Sequence, residues 1–123
     1  MLDRCSLVAF IATANPEEAR AFYEEVLGLK LKEDSPFAYV FDANGVTLRL
    51  QKLKSYTPVA NTSLGWQVSG IQDLVTEMVR KGIAFERYDG LLQDEQGIWS
   101  APGGAQVAWF KDPDGNVLSL TES

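Results

Sequence analysis

Apolar residues run with little alternation from about Ser6 to Thr13, as in a strand buried on both faces. Asn15-Pro16-Glu17-Glu18 then reads as a helix start: Asn suits the cap, Pro the first turn, and the acids face the positive end of the helix dipole. Ala19, Phe22, Tyr23, Val26 and Leu27 fall on one apolar stripe, and Gly28 supplies the stop. Leu29 to Glu33 predicts a strand, Pro36 breaks it, and Phe37 to Asp42 predicts the next. An Asn44-Gly45 pair then turns the chain into Val46 to Lys52. The same order follows again: a strand from about Thr62 to Val68, Ser69 as cap, a helical stripe of Ile71, Leu74, Val75, Met78 and Val79, and a stop at Gly82. Strands are predicted at Ile83 to Tyr88, Gln106 to Lys111 and Asn116 to Thr121, the last two joined by the turn DPDG.

Both halves therefore read β-α-β-β-β. Laid without a gap over KDPDGNVLSL, the stretch FDANGVTLRL matches Asp42 to Asp112, Asn44 to Asp114, Gly45 to Gly115, Leu48 and Leu50 to Leu118 and Leu120, and Arg49 to Ser119. This is an internal duplication. An α+β chain is predicted, one domain over 1–123, with tandem βαβββ modules at about 6–57 and 62–122 and a joint near Pro58 to Ser63. The copies differ where the first has EDSP and the second DGLLQDEQGIWSAPGGA; a loop of that length in a compact domain is a lid, an interface or local disorder.

Composition narrows the chemistry. There is no His, which removes Ser-His-Asp triads, Cys-His dyads and His-containing zinc sites. Cys5 stands alone, without an intramolecular disulfide partner or its commonest activating base. The net charge of -6 disfavours nucleic acid and anionic membrane surfaces as partners. No apolar run is long enough to span a bilayer, and MLDRCSLVAF lacks the features of a secretory signal, so a cytoplasmic location is expected.

The tandem, with FYEEVLGLKL closing the first helix and WFKDPDGNVLSL forming the last hairpin, resembles the vicinal oxygen chelate superfamily. That is the group of glyoxalase I, bleomycin resistance proteins, fosfomycin resistance proteins and extradiol dioxygenases. The resemblance extends from about Leu7 to Glu122 and implies half-barrels with their helices outside, enclosing a cup for metal and substrate. It also implies a homodimer. Metal-dependent members place four ligands, commonly His or Glu, on inner strands; carried over by motif, those positions fall on Val8, Arg49, Ser63 and Ser119. A slip of Ser63 onto Thr62 or Leu64 brings in no ligand. Valine has no donor, Arg is cationic, and neutral Ser hydroxyls are poor ligands, so neither the usual metal nor any other cofactor is expected.

Strand parity then sorts the side chains. Leu48, Leu50, Leu118 and Leu120 are assigned to the helix side. Thr47, Arg49, Gln51, Val117, Ser119, Thr121, Ser63, Gly65, Gln67, Val8 and Phe10 are assigned inward. Aligning AYVFD with AWFKD adds Tyr39 opposite Trp109, and the resemblance to fosfomycin resistance proteins makes the Trp109 position, three before Asp112, an active-site one. Phe10, Tyr39, Arg49, Gln51, Ser63, Gln67, Trp99, Trp109 and Ser119 are the expected ligand-binding residues, with Trp99 reaching in from the long loop or into an interface. An inward Arg49 requires a ligand anion, an acid such as Glu86, or water. Three functions are compatible with this sequence. One is a metal-independent small-molecule binder of the bleomycin-resistance type. Another is an enzyme using Glu86, Tyr39 or Tyr88 as acid or base, as a metal-free lyase or isomerase, or with an unusual carboxylate metal site. The third is a partner-binding module with a filled cup.

Overall fold

A computed structural model describes all 123 residues and divides them into two compact units, Met1–Pro58 and Val59–Ser123. The fold is α+β, with one four-stranded sheet in each unit. In the first unit the chain passes through β1 (Val8–Thr13), α1 (Pro16–Ala21), a π-helical turn over Phe22–Val26, β2 (Lys30–Asp34), β3 (Ala38–Ala43) and β4 (Val46–Lys52). The second unit follows with β5 (Thr62–Gln67), α2 (Ile71–Arg80), β6 (Trp99–Ser100), β7 (Gln106–Lys111) and β8 (Val117–Glu122). The sheet orders are β1-β4-β3-β2 and β5-β8-β7-β6, and in each the first and last strands of the unit run parallel. No helix is long and apolar enough to cross a membrane.

The apolar stripes fold as their spacing dictates. Ala19 and Tyr23 are fully buried, and the Tyr23 ring lies 6.0 Å from Phe41, which shares its sheet face with Leu48. Phe41, Leu48 and Leu50 are essentially sealed from water, each contributing about 1.5–3 kcal/mol of burial free energy. In the second unit Ile71, Val75 and Met78 of α2 are buried, as are Ala108, Phe110, Leu118 and Leu120.

Two expectations are corrected. Ile83 to Tyr88 forms no strand: its backbone is tied to β7 by a bridge from Phe85 to Phe110 and the Glu86 N–H bond to the Trp109 carbonyl (2.8 Å). The edge position beside β7 goes instead to Trp99 and Ser100, from the long loop. Nor does Ser69 cap α2. Gly70 occupies the cap position in the left-handed region, and Glu122 of β8 accepts the Gly70 and Ile71 N–H groups at 3.0 and 2.9 Å. Asn15, by contrast, does occupy the cap position of α1, with Pro16 in its first turn.

The Ile71 and Gly70 amides hold the Glu122 carboxyl below the usual carboxylate range. A depressed folded-state value means that Glu122 stabilises the fold above its unfolded pKa, and that this is lost as pH falls through the folded value. Glu122→Gln, which turns an amide nitrogen toward a helix N–H, is expected to lower Tm at neutral pH. Thermal melts across a pH series should show the gap to the parent closing in acid.

The two hairpins differ by one residue. Ala43 pairs with Val46 around Asn44 and Gly45, both at positive φ (53° and 92°), the conformation a two-residue hairpin requires. In the second unit the corresponding pair is Asp112 and Asn116, joined by an N–H···O bond of 3.0 Å and enclosing three residues. Thus Leu48 pairs with Phe41 and Arg49 with Val40, whereas Leu118 pairs with Phe110 and Ser119 with Trp109. The true counterpart of Trp109 is Val40, and that of Tyr39 is Ala108.

Candidate functional site

A slip of one residue turns a side chain to the other face of its sheet. Tyr39 is therefore corrected: it does not share a face with Arg49. It pairs with Leu50 on the helix side, is 5% exposed, packs 6.3 Å from Phe41, and has Lys52 Nζ over its ring at 4.1 Å. The gapless alignment missed the extra residue in the second turn.

The helix-distal face of the first unit carries Val8, Phe10, Val40, Arg49 and Gln51, fixed by the pairs Phe10 with Arg49, Ala12 with Gln51, and Arg49 with Val40. Phe10 is 57% exposed, and Arg49 and Gln51 are exposed. The Arg49 side chain makes no ion pair or hydrogen bond. Glu33, opposite Val40, belongs to the same face and was not anticipated, because a β-bulge between Leu31 and Glu33 resets the parity of β2.

In the second unit the helix-distal face is assembled from all four strands. Gly65 and Gln67 of β5 lie beside Ser119 and Thr121 of β8, Trp109 lies across from Ser119, and Trp99 lies across from Val107. Ser63 falls at a register shift between Thr62 and Leu64 and is exposed, so alternation no longer assigns its face. Close packing explains Gly65: a Cβ built there would sit 2.7 Å from Ser119 Oγ.

Three half-buried rings form a platform on this face. Trp109 lies 6.1 Å from Trp99 at an interplanar angle of 32°, and 5.5 Å from Tyr88 at 84°, edge to face. Such ring pairs add about 0.5–1.5 kcal/mol each beyond the area they bury. The long loop is bonded into place beneath them. The Gln93 amide donates to the carbonyls of Glu86 (2.9 Å) and Gly97 (2.8 Å) and accepts from Tyr88 N–H (2.7 Å), while Arg87 donates to the carbonyls of Asp94 and Glu95 at 2.8 Å each. Trp99 is therefore held in the sheet as part of β6 and is no free lid.

Charge at the rim of the platform is paired, with Lys111 Nζ 3.5 Å from Glu86. Burial first, and the Glu86 carboxylate second, push the Tyr88 phenol above its ordinary value against the opposing pull of Lys111. At neutral pH Tyr88 thus keeps its proton, available for donation; this argues against its use as a base.

The four positions that the resemblance assigns to metal ligands hold Val8, Arg49, Ser63 and Ser119, and no group of three or more His, Cys, Asp or Glu side chains in the chain converges to hold an ion. These residues do not fit a divalent metal at the family's usual place.

Solved structures agree on the fold. A member of the glyoxalase/bleomycin resistance protein/dioxygenase superfamily from Sphaerobacter thermophilus superposes with a TM-score of 0.77 at 21% identity, over 100% of both chains. Lactoylglutathione lyase from Agrobacterium tumefaciens gives 0.77 at 16% identity, over 100% of this chain and 96% of that one. A glyoxalase family protein from Enterococcus faecalis gives 0.73 at 18%, over 99% and 100%. No curated protein matches. The Glyoxalase/Bleomycin resistance protein/Dioxygenase family model matches residues 2–120, and the chain belongs to that superfamily.

Proposed function

We propose that the protein binds a small planar aromatic molecule on the helix-distal face of its second unit, without a metal. The observation that carries this reading is the half-buried platform of Trp99, Trp109 and Tyr88, with Gln67 and Thr121 on the same sheet face as polar groups for a ring's substituents. An apolar surface flanked by a few polar groups gains by stacking a ring that would otherwise be hydrated. The second reading, a metal-free lyase or isomerase, is favoured by one observation, the protonated Tyr88 beside Glu86, with Tyr88 as proton donor.

The test is a tryptophan-fluorescence titration with naphthalene-2-carboxylate. Saturable quenching at one equivalent is expected, with affinity about 10-fold weaker in Trp109→Ala and in Trp99→Leu, the equivalent of about 1.4 kcal/mol. Binding that is indifferent to both Trp substitutions overturns the platform; conversion of the ligand to product on incubation favours the second reading.

A further inference from the structure

The displacement of Tyr39 to the helix side brings it to a different cleft. On that face of the first unit a cleft of about 320 Å³ is lined by Glu17, Arg20, Glu24, Glu25, Asp34 and Tyr39. The volume is that of a small-ligand site. Four carboxylates face one guanidinium, and they are not equally engaged: Arg20 meets Glu24 at 3.2 Å and Asp34 at 3.6 Å, Lys52 meets Asp34 at 2.7 Å, and Glu17 and Glu25 belong to no ion pair.

The side chain that points to a ligand is Tyr39. It is 95% buried (5% exposed), it lines the cleft, and its hydroxyl makes no hydrogen bond within the protein. Since no closed-off side-chain oxygen in the chain lacks a partner, this hydroxyl is the part of Tyr39 that opens into the cleft. The ring is already engaged by Lys52 Nζ at 4.1 Å and by Arg20 Cζ at 5.8 Å, so what remains to offer is the oxygen.

The carboxylates do not converge on a point, as a metal ion would require. They are distributed over α1, the turn after it and the end of β2, which suits a cation with its charges spread along a chain. We propose that this cleft binds a linear aliphatic polyamine, one ammonium donating to Tyr39 Oη and others meeting Glu17 and Glu25, with the methylenes between them. The site lies in the first unit, on the opposite side of its sheet from Arg49, and is independent of the aromatic platform.

Calorimetric titration of the full chain with spermidine at about 0.15 M salt, where exposed charges beyond about 8 Å are screened, tests this directly. One saturable site is expected. Tyr39→Phe, which removes a hydroxyl that no protein group uses, should weaken binding about 5-fold through loss of a charge-assisted bond. Glu17→Gln with Glu25→Gln should weaken it about 10-fold, whereas Asp73→Asn with Glu77→Gln, taking the same charge from α2, should change it by less than about 2-fold. The proposal is overturned by absence of saturable binding, by equal weakening in the two double variants, or by a Tyr39→Phe variant that binds as the parent does.

Discussion

Asp112→Ala is expected to destabilise the protein by about 3–5 kcal/mol, near the upper end of single substitutions. Asp112 is 5% exposed, and its Oδ1 accepts the N–H groups of Asp114 and Asn116, each at 2.9 Å. Its Oδ2 accepts from the Asn116 side-chain amide at 2.8 Å, and Asn116 is fully buried. Truncation removes the acceptor that these three donors share, and a buried donor without its acceptor costs about 1–3 kcal/mol. Asp112→Asn should fall between, because one carboxylate oxygen becomes an NH₂ facing another donor. The first hairpin supplies the control. Asp42 Oδ1 accepts only the exposed Gly45 N–H at 2.7 Å, so Asp42→Ala should cost about 1 kcal/mol. Urea denaturation of the three variants checks the ranking, and equal losses at Asp112 and Asp42 would contradict it.

Gly65→Ala is expected to cost about 1–3 kcal/mol by overpacking. The added Cβ meets Ser119 Oγ at 2.7 Å, well inside contact distance, and Ser119 is itself buried beside Trp109. Because the obstruction is one hydroxyl, Ser119→Ala should relieve it. In a double-mutant cycle the combined variant should be more stable than the sum of the single losses by about 1 kcal/mol, the coupling typical of residues in contact. Additive losses would show that the cost arises elsewhere, in the backbone of β5.

Much of this architecture is written in local spacing. The stripes through Tyr23 and Val75 give the helices, Asn44-Gly45 gives the first hairpin, and the paired leucines give the helix-side faces of β4 and β8. Their signals lie within a few residues of the feature that they specify. What escaped depends on distant partners or on counting through a turn. Glu122 caps a helix that begins far upstream of it, which no pattern around Ser69 reveals. The edge of the second sheet goes to Trp99 and Ser100, although Ile83 to Tyr88 has the more strand-like composition, because pairing with β7 overrides propensity.

The candidate site follows the same rule. Phe10, Arg49 and Gln51 share one face of the first sheet as alternation predicts, and Gln67, Trp109 and Ser119 share one of the second, joined there by Trp99. Tyr39 was misassigned through the one extra residue between Asp112 and Asn116. Comparing loop lengths, two residues against three, would have found it, since the last hairpin's Pro113-Asp114-Gly115 is longer than the first's Asn44-Gly45. Glu33 and Ser63 were illegible for a different reason: bulges interrupt the alternation on which parity depends.

Whether ligand binding proceeds without an ion is settled most directly by metal analysis of the protein after exposure to zinc, nickel and manganese and gel filtration, paired with the naphthalene-2-carboxylate titration in EDTA. Val8, Arg49, Ser63 and Ser119 supply no adequate donor set, so the account predicts less than stoichiometric retention of each metal and the same ligand affinity with or without chelator. One equivalent of metal retained, together with ligand binding abolished by EDTA and restored by that metal, would contradict it.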